Sequence, residues 1–254
     1  MQGSEVRVWV AHPSAFGEAE RESLRLLLDD DQRQRADRLR FEADRHASVI
    51  AQGLCRKMLG ALAGIPPGEV RFTRDAHGKP SAQGAASPWF FSVSHTRGLV
   101  ACAASLHGPL GIDVEAEDDH PEDADVLDLF MRAPDEGVLE QRGPKAFYAC
   151  WTALEAYWKA RGTGLTSANP RLVLSRPQGP LQAALEGDTA QASRLFITPI
   201  EAADGFAVAL ACGWVPTLQL AVWAPAHRDI RKSATNVPSY SAAAEPLPQF
   251  PVVA

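Results

Sequence analysis

Asp113 and Glu115 stand two residues apart in Gly111-Ile112-Asp113-Val114-Glu115, a segment that reads as a strand. Positions i and i+2 of a strand share a face, so the two carboxylates point one way while Ile112 and Val114 point into core. Such acids repel each other unless a cation lies between them. The plain alternative is a solvated strand end running into the acidic stretch from Glu117 to Asp125. A second set lies in Trp151-Thr152-Ala153-Leu154-Glu155-Ala156-Tyr157-Trp158-Lys159, where helical spacing puts Glu155 and Lys159 on one face. On a surface this pair would contribute only about 0.2–0.5 kcal/mol. Trp151, Ala156, Tyr157 and Trp158 instead predict a mostly buried helix, in which an acid and a lysine need a purpose. Asp113, Glu115 and Glu155 would together supply the hard oxygen ligands that Mg²⁺ favours.

Two smaller motifs could hold anions. Phe91-Ser92-Val93-Ser94-His95 ends a strand at a turn. Ser94 and His95 are not read as nucleophile and base, because strand neighbours point to opposite faces. A hydroxyl, an imidazole and backbone N–H groups at such a junction can hold a phosphate. Gly78-Lys79-Pro80, preceded by Arg74, is a turn and by itself says little.

The elements that must position these groups follow from periodicity. Val6 to Ala11 alternates as a strand; Glu18 to Leu28, Asp31 to Arg40 and Asp44 to Leu62 read as helices. Val70 to Thr73 is strand-like, Trp89 to Ser94 and Leu99 to Ser105 form a hairpin, and Leu110 to Glu115 is a further strand. The second half repeats this order. Short helices at Ala124 to Met131 and Pro134 to Gln141 precede a long one, Pro144 to Ala160. Strands follow at Arg171 to Ser175, Leu195 to Ile200, Gly205 to Cys212 and Leu218 to Trp223. Gly98-Leu-Val-Ala-Cys-Ala-Ala104 and Gly205-Phe-Ala-Val-Ala-Leu-Ala211 occupy matching places, which suggests an internal duplication. The expected fold is α/β (α+β): two similar lobes, residues 1–107 and 108–225, with a pocket at their seam. The Ala-, Ser- and Pro-rich residues 226–254 read as a disordered tail.

Composition narrows the function classes. The chain has 254 residues and a net charge of -6, which argues against a protein living on nucleic acid. Arginines nevertheless crowd the stretch from Arg33 to Arg56. The four cysteines lie far apart without metal-ligand spacing, as expected of buried free thiols in a reducing cytoplasm. The uncharged run Gly205 to Ala226 has membrane-span length, but Gly213, Pro216, Thr217 and Gln219 break it into two strands and a turn. No membrane association is expected.

In this order the motifs resemble those of the Sfp-type 4′-phosphopantetheinyl transferases. Those carry an arginine-rich helix pair, GKP, (N/S)-x-S-H, G-(I/V)-D-(V/I)-E and W-(S/T)-x-x-E-(A/S)-x-x-K followed by Gly-x-Gly-Leu. This chain supplies Gly78-Lys79-Pro80, Ser92-Val93-Ser94-His95, Gly111 to Glu115, Trp151 to Lys159 and Gly162-Thr163-Gly164-Leu165, within a resemblance spanning about residues 5 to 223. The resemblance implies a pseudo-dimeric fold with coenzyme A and Mg²⁺ bound between the lobes. It also implies transfer of phosphopantetheine to a serine of an apo acyl, peptidyl or aryl carrier protein, releasing adenosine 3′,5′-bisphosphate. Asp113, Glu115 and Glu155 fall on the metal ligands. Arg35, Arg74, Lys79, Ser94, His95 and Lys159 fall on positions that hold the nucleotide and its phosphates. Glu155 is the implied base, directly or through a metal-bound water, and Lys159 neutralises phosphate charge. Two lobes in one chain point to a monomer. Three departures stand out: Ser92 where Asn is commoner, Leu154 where many members have Lys, and fewer arginines around Asp44-Arg45-His46-Ala47. A Mg²⁺-dependent phosphatase or nuclease would share the carboxylates without explaining GKP or Ser94-His95. A non-catalytic coenzyme A- or carrier-binding homologue is the remaining alternative.

Overall fold

The computed structural model describes all residues except 1–3, 119–125, 136, 140–142, 167, 177–178, 189–192 and 226–254. The tail expected at 226–254 therefore lies outside the described residues.

In the first half, β1 (Glu5–Ala11) is followed by the helices α1 (Glu18–Leu27), α2 (Asp30–Asp37) and α3 (Glu42–Ala63). Asp29 and Gln32 form a capping box that fixes the start of α2. Gly64, at φ 68°, closes α3 in the left-handed conformation that glycine tolerates. The short strands β2 (Phe72–Arg74) and β3 (Pro80–Ala82) pair across the GKP turn. The hairpin of β4 (Phe90–Thr96) and β5 (Leu99–Ser105) then turns through Arg97 and Gly98.

The second half begins with β6 (Leu110–Ala116). After the undescribed residues come α4 (Leu127–Phe130), β7 (Met131–Arg132) and the long helix α5 (Pro144–Arg161). The strands β8 (Leu172–Ser175), β9 (Gln182–Leu185), β10 (Leu195–Pro199), β11 (Phe206–Cys212) and β12 (Thr217–Val222) complete it. The helix expected at Ala124 to Met131 is confined, among the described residues, to α4. That expected at Pro134 to Gln141 is absent from the described residues there, where Gly137 adopts φ 83° and interrupts helical geometry. β9 was not expected from the sequence.

The four-stranded sheet runs β12-β1-β5-β4 and the six-stranded sheet runs β6-β11-β10-β9-β8-β7. Their facing surfaces form one core, with Val6, Val8, Val10, Leu99 and Ala101 on one side and Ile112, Val114, Val208 and Leu210 on the other. The opposite face of the first sheet packs on Ile50, Leu54 and Met58 of α3, through Cys102 and Ala104. The opposite face of the second packs on Leu154, Tyr157 and Ala160 of α5, through Ala209 and Ala211. The result is helix, sheet, sheet, helix, with the halves related as the repeated element order suggested: β5 lies antiparallel to β1 as β11 does to β6. One strand crosses the division. β12 belongs by sequence to the second half yet pairs in parallel with β1, from Glu5↔Thr217 to Val10↔Val222.

Candidate active site

β4 is an edge of the first sheet and β6 an edge of the second, and serines bridge them. The Ile112 backbone N–H donates to Ser92 Oγ at 3.1 Å, and Ser94 Oγ donates to Asp113 Oδ1 at 2.8 Å. Ser92 thus fills a joining role across the seam. On its other face β6 must admit α5 closely, which only glycine permits: a Cβ on Gly111 would lie 2.1 Å from the Ala156 carbonyl and 2.9 Å from Lys159 Cβ. That approach sets Lys159 beside the carboxylate two residues along from Gly111.

Asp113 is 2% exposed. Its Oδ1 accepts from Lys159 Nζ at 2.5 Å, and the same ammonium donates to Ser94 Oγ at 2.9 Å. Asp113 Oδ2 is buried with no hydrogen-bond partner. Burial pushes the Glu115 carboxyl up to about 7, aided by Asp113 and opposed by Lys159, the Thr96 hydroxyl and the Trp151 indole. Burial also raises Glu155, with Lys159 opposing and Asp113 adding to the shift. The His95 imidazole is held below its usual range by burial first and by Lys159 second, while Asp44 and Asp113 pull the other way. The structure therefore gathers Ser94, His95, Asp113, Glu115, Glu155 and Lys159 into one electrostatic cluster at the seam.

Three acids and one ammonium leave this cluster short of positive charge. The lone Asp113 oxygen and the two destabilised carboxylates are the donor chemistry a hard divalent cation would satisfy. As the side chains stand, no three His, Cys, Asp or Glu among the described residues form a group that could hold a metal ion. The cation nearest to Asp113 in its place is Lys159.

The remaining expected residues lie outside this cluster. Arg35 Nε donates to Asp31 Oδ1 at 3.1 Å, and Arg74 Nε lies 3.4 Å from Asp31 Oδ2. Arg74 and Asp31 line a cleft of about 420 Å³ whose walls include Gln52, Phe72, Pro80 and Phe91. Lys79 Nζ donates to the Lys159 and Ala160 carbonyls, at 2.7 and 2.9 Å. Leu154 is fully buried in the core under α5. Asp31, Thr96 and Trp151 were missed as partners. Asp31 and Arg35 at helical spacing i, i+4 were a readable signal, whereas the contacts to Glu115 join separate elements.

Two family models match the chain: the 4′-phosphopantetheinyl transferase N-terminal model over residues 16–107 and the 4′-phosphopantetheinyl transferase superfamily model over residues 109–211. The chain belongs to the 4′-phosphopantetheinyl transferase superfamily. One matched region falls in each half of the chain, and its activity is transfer of phosphopantetheine to carrier proteins. Among curated proteins the transferase is similar to 4′-phosphopantetheinyl transferase HetI of a Nostoc species. The two are 28% identical over 219 residues, which cover 84% of this chain and 90% of the relative. A 4′-phosphopantetheinyl transferase of Bacillus subtilis is 26% identical over 163 residues, covering 63% of this chain and 70% of the relative. The Bacillus subtilis strain 168 transferase Sfp is 23% identical over 155 residues, covering 59% and 67% respectively. In the transferase all four cysteines are buried and free. No helix among the described residues is long and apolar enough to cross a membrane.

Proposed function

We propose that the transferase takes its 4′-phosphopantetheine from coenzyme A and places it on a serine of an apo acyl, peptidyl or aryl carrier protein. The products are the holo carrier and adenosine 3′,5′-bisphosphate. The observation that carries this reading is the Ser94–Asp113–Lys159 cluster, with Glu115 and Glu155 destabilised beside it at the seam. Asp113, Glu115 and Glu155 are the residues that would hold Mg²⁺. When bound, Mg²⁺ neutralises pyrophosphate charge and polarises the attacked phosphorus.

The chain's own groups do the rest by positioning and charge stabilisation. Glu155, a carboxylate held above its usual range, is a stronger base than a solvated one and takes the proton from the carrier serine Oγ. As the new O–P bond forms, the P–O bond to the departing bisphosphate breaks, and Lys159 stabilises the charge that develops on the phosphates. His95 and Arg35 hold the 3′-phosphate, with Ser94 and Arg74 holding the rest of the nucleotide. Buried free thiols and a two-lobed chain support a cytoplasmic monomer.

Incubation of the protein with coenzyme A, Mg²⁺ and apo carriers of fatty-acid, polyketide and nonribosomal type should add one phosphopantetheine mass to at least one of them. No adduct on any carrier overturns the proposal. Asp113→Ala and Glu155→Gln are expected to abolish transfer, and Glu115→Ala to weaken it less, since water can replace one ligand. Wild-type rates for Asp113→Ala at ordinary Mg²⁺ would refute the metal assignment.

A further inference from the structure

Lys79 sits 80 residues before Lys159, in the other half of the chain, yet its ammonium donates to the backbone carbonyls of Lys159 and Ala160. The last carbonyls of a helix lack intrahelical partners and attract cations. Here the α5 end is completed by the Gly162 N–H on the Trp158 carbonyl at 2.8 Å and by the Lys79 ammonium on the next two carbonyls. The turn that presents Lys79 is held several times over. Asp75 Oδ1 accepts from the His77 and Lys79 N–H groups, each at 2.9 Å, and Arg74 donates to the Gly78 carbonyl at 2.8 Å. The Lys79 stem runs against Gly162, where a Cβ would come within 2.9 Å of Lys79 Cδ.

We propose that Lys79 is a positioning residue: a latch from the GKP turn of the first lobe to the end of α5 that holds Lys159 in register with Ser94 and Asp113. The latch fixes the peptide unit from which the Lys159 side chain springs, and it joins the Gly78-Lys79-Pro80 turn to Gly162 at the end of α5. It replaces the direct phosphate contact expected for Lys79 from the sequence. The inference rests on the transfer reading for its kinetic arm, while its exchange arm stands whether or not transfer is observed.

Lys79→Met removes the ammonium and keeps the stem. It is expected to lower kcat by about tenfold to a hundredfold, the scale of a displaced reacting group. KM for coenzyme A should stay within about twofold, the pattern of an interaction not used in ground-state binding. Amide hydrogen exchange over residues 158–162 should rise about tenfold as the helix end loosens. A raised KM with unchanged kcat and unchanged exchange would overturn the latch and assign Lys79 to the phosphates. Unchanged kcat, KM and exchange would overturn it as well. Gly162→Ala supplies the same test should Lys79→Met fail to fold, because the added methyl displaces the Lys79 stem. Its control is Gly164→Ala, also at positive φ (70°) but with open space around it. The control should cost stability without lowering kcat; an equal fall in kcat for both glycine variants would overturn the latch.

Discussion

At Asp113 one oxygen accepts both a hydroxyl and an ammonium while its buried twin has no partner. The cluster thus keeps one buried acceptor unsatisfied, the atom that the proposed Mg²⁺ would meet. His95 sits in the same field, its imidazole held below the usual range by burial and by Lys159. A phosphate placed against it favours the imidazolium and raises its pKa, so binding takes up a proton. Affinity should then fall as pH rises above the free-state value and through the bound one. Binding calorimetry of coenzyme A near pH 7, in buffers of different ionisation enthalpy, should show this uptake, and His95→Gln should lose it. Undiminished uptake in His95→Gln would remove the imidazole from the phosphate site.

The contact between β6 and α5 makes the site possible. An Ala at position 111 puts a methyl 2.1 Å from a backbone carbonyl that no rotamer change can move. Overpacking typically costs about 1–3 kcal/mol, and this clash belongs at the upper end. Gly111→Ala should lower Tm by roughly 6–12 °C at the usual slope for a chain of this size and abolish transfer by separating Lys159 from Asp113. A Tm within experimental error of wild type would show that α5 need not lie so close. Much of this element was legible: the carboxylate pair on a strand, the Glu155–Lys159 helix and the Gly98 hairpin all follow from local periodicity. Lys79's partners were not, since they depend on how the GKP turn meets the end of a helix in the other lobe. Nor was the absence of helix among the described residues of Pro134 to Gln141, where Gly137 stands at positive φ.

Across the whole molecule, β12 couples the lobes by backbone. The Thr217 N–H donates to the Ser4 carbonyl at 2.9 Å, the Trp223 N–H donates to the Val10 carbonyl at 2.7 Å, and the Trp223 ring stacks on Phe16 at 5.2 Å. Sequence alternation could show that 217–222 is a strand, but nothing local names a partner more than two hundred residues earlier. A chain ending at residue 216 loses these ladder bonds and the Trp223 contact, a loss of roughly 3 kcal/mol or more by analogy with removing large aromatic groups from packed sites. It should melt well below the full chain or aggregate through the bared edge of β1; unchanged Tm and solubility would contradict the coupling. The pairing also imposes an order in time. β1 leaves the ribosome more than two hundred residues ahead of β12. Until β12 emerges, the first lobe therefore carries the open edge of β1 that β12 later closes. Chaperone demand and premature termination, rather than catalysis, are where a weakened β1–β12 pairing would be felt first in a cell.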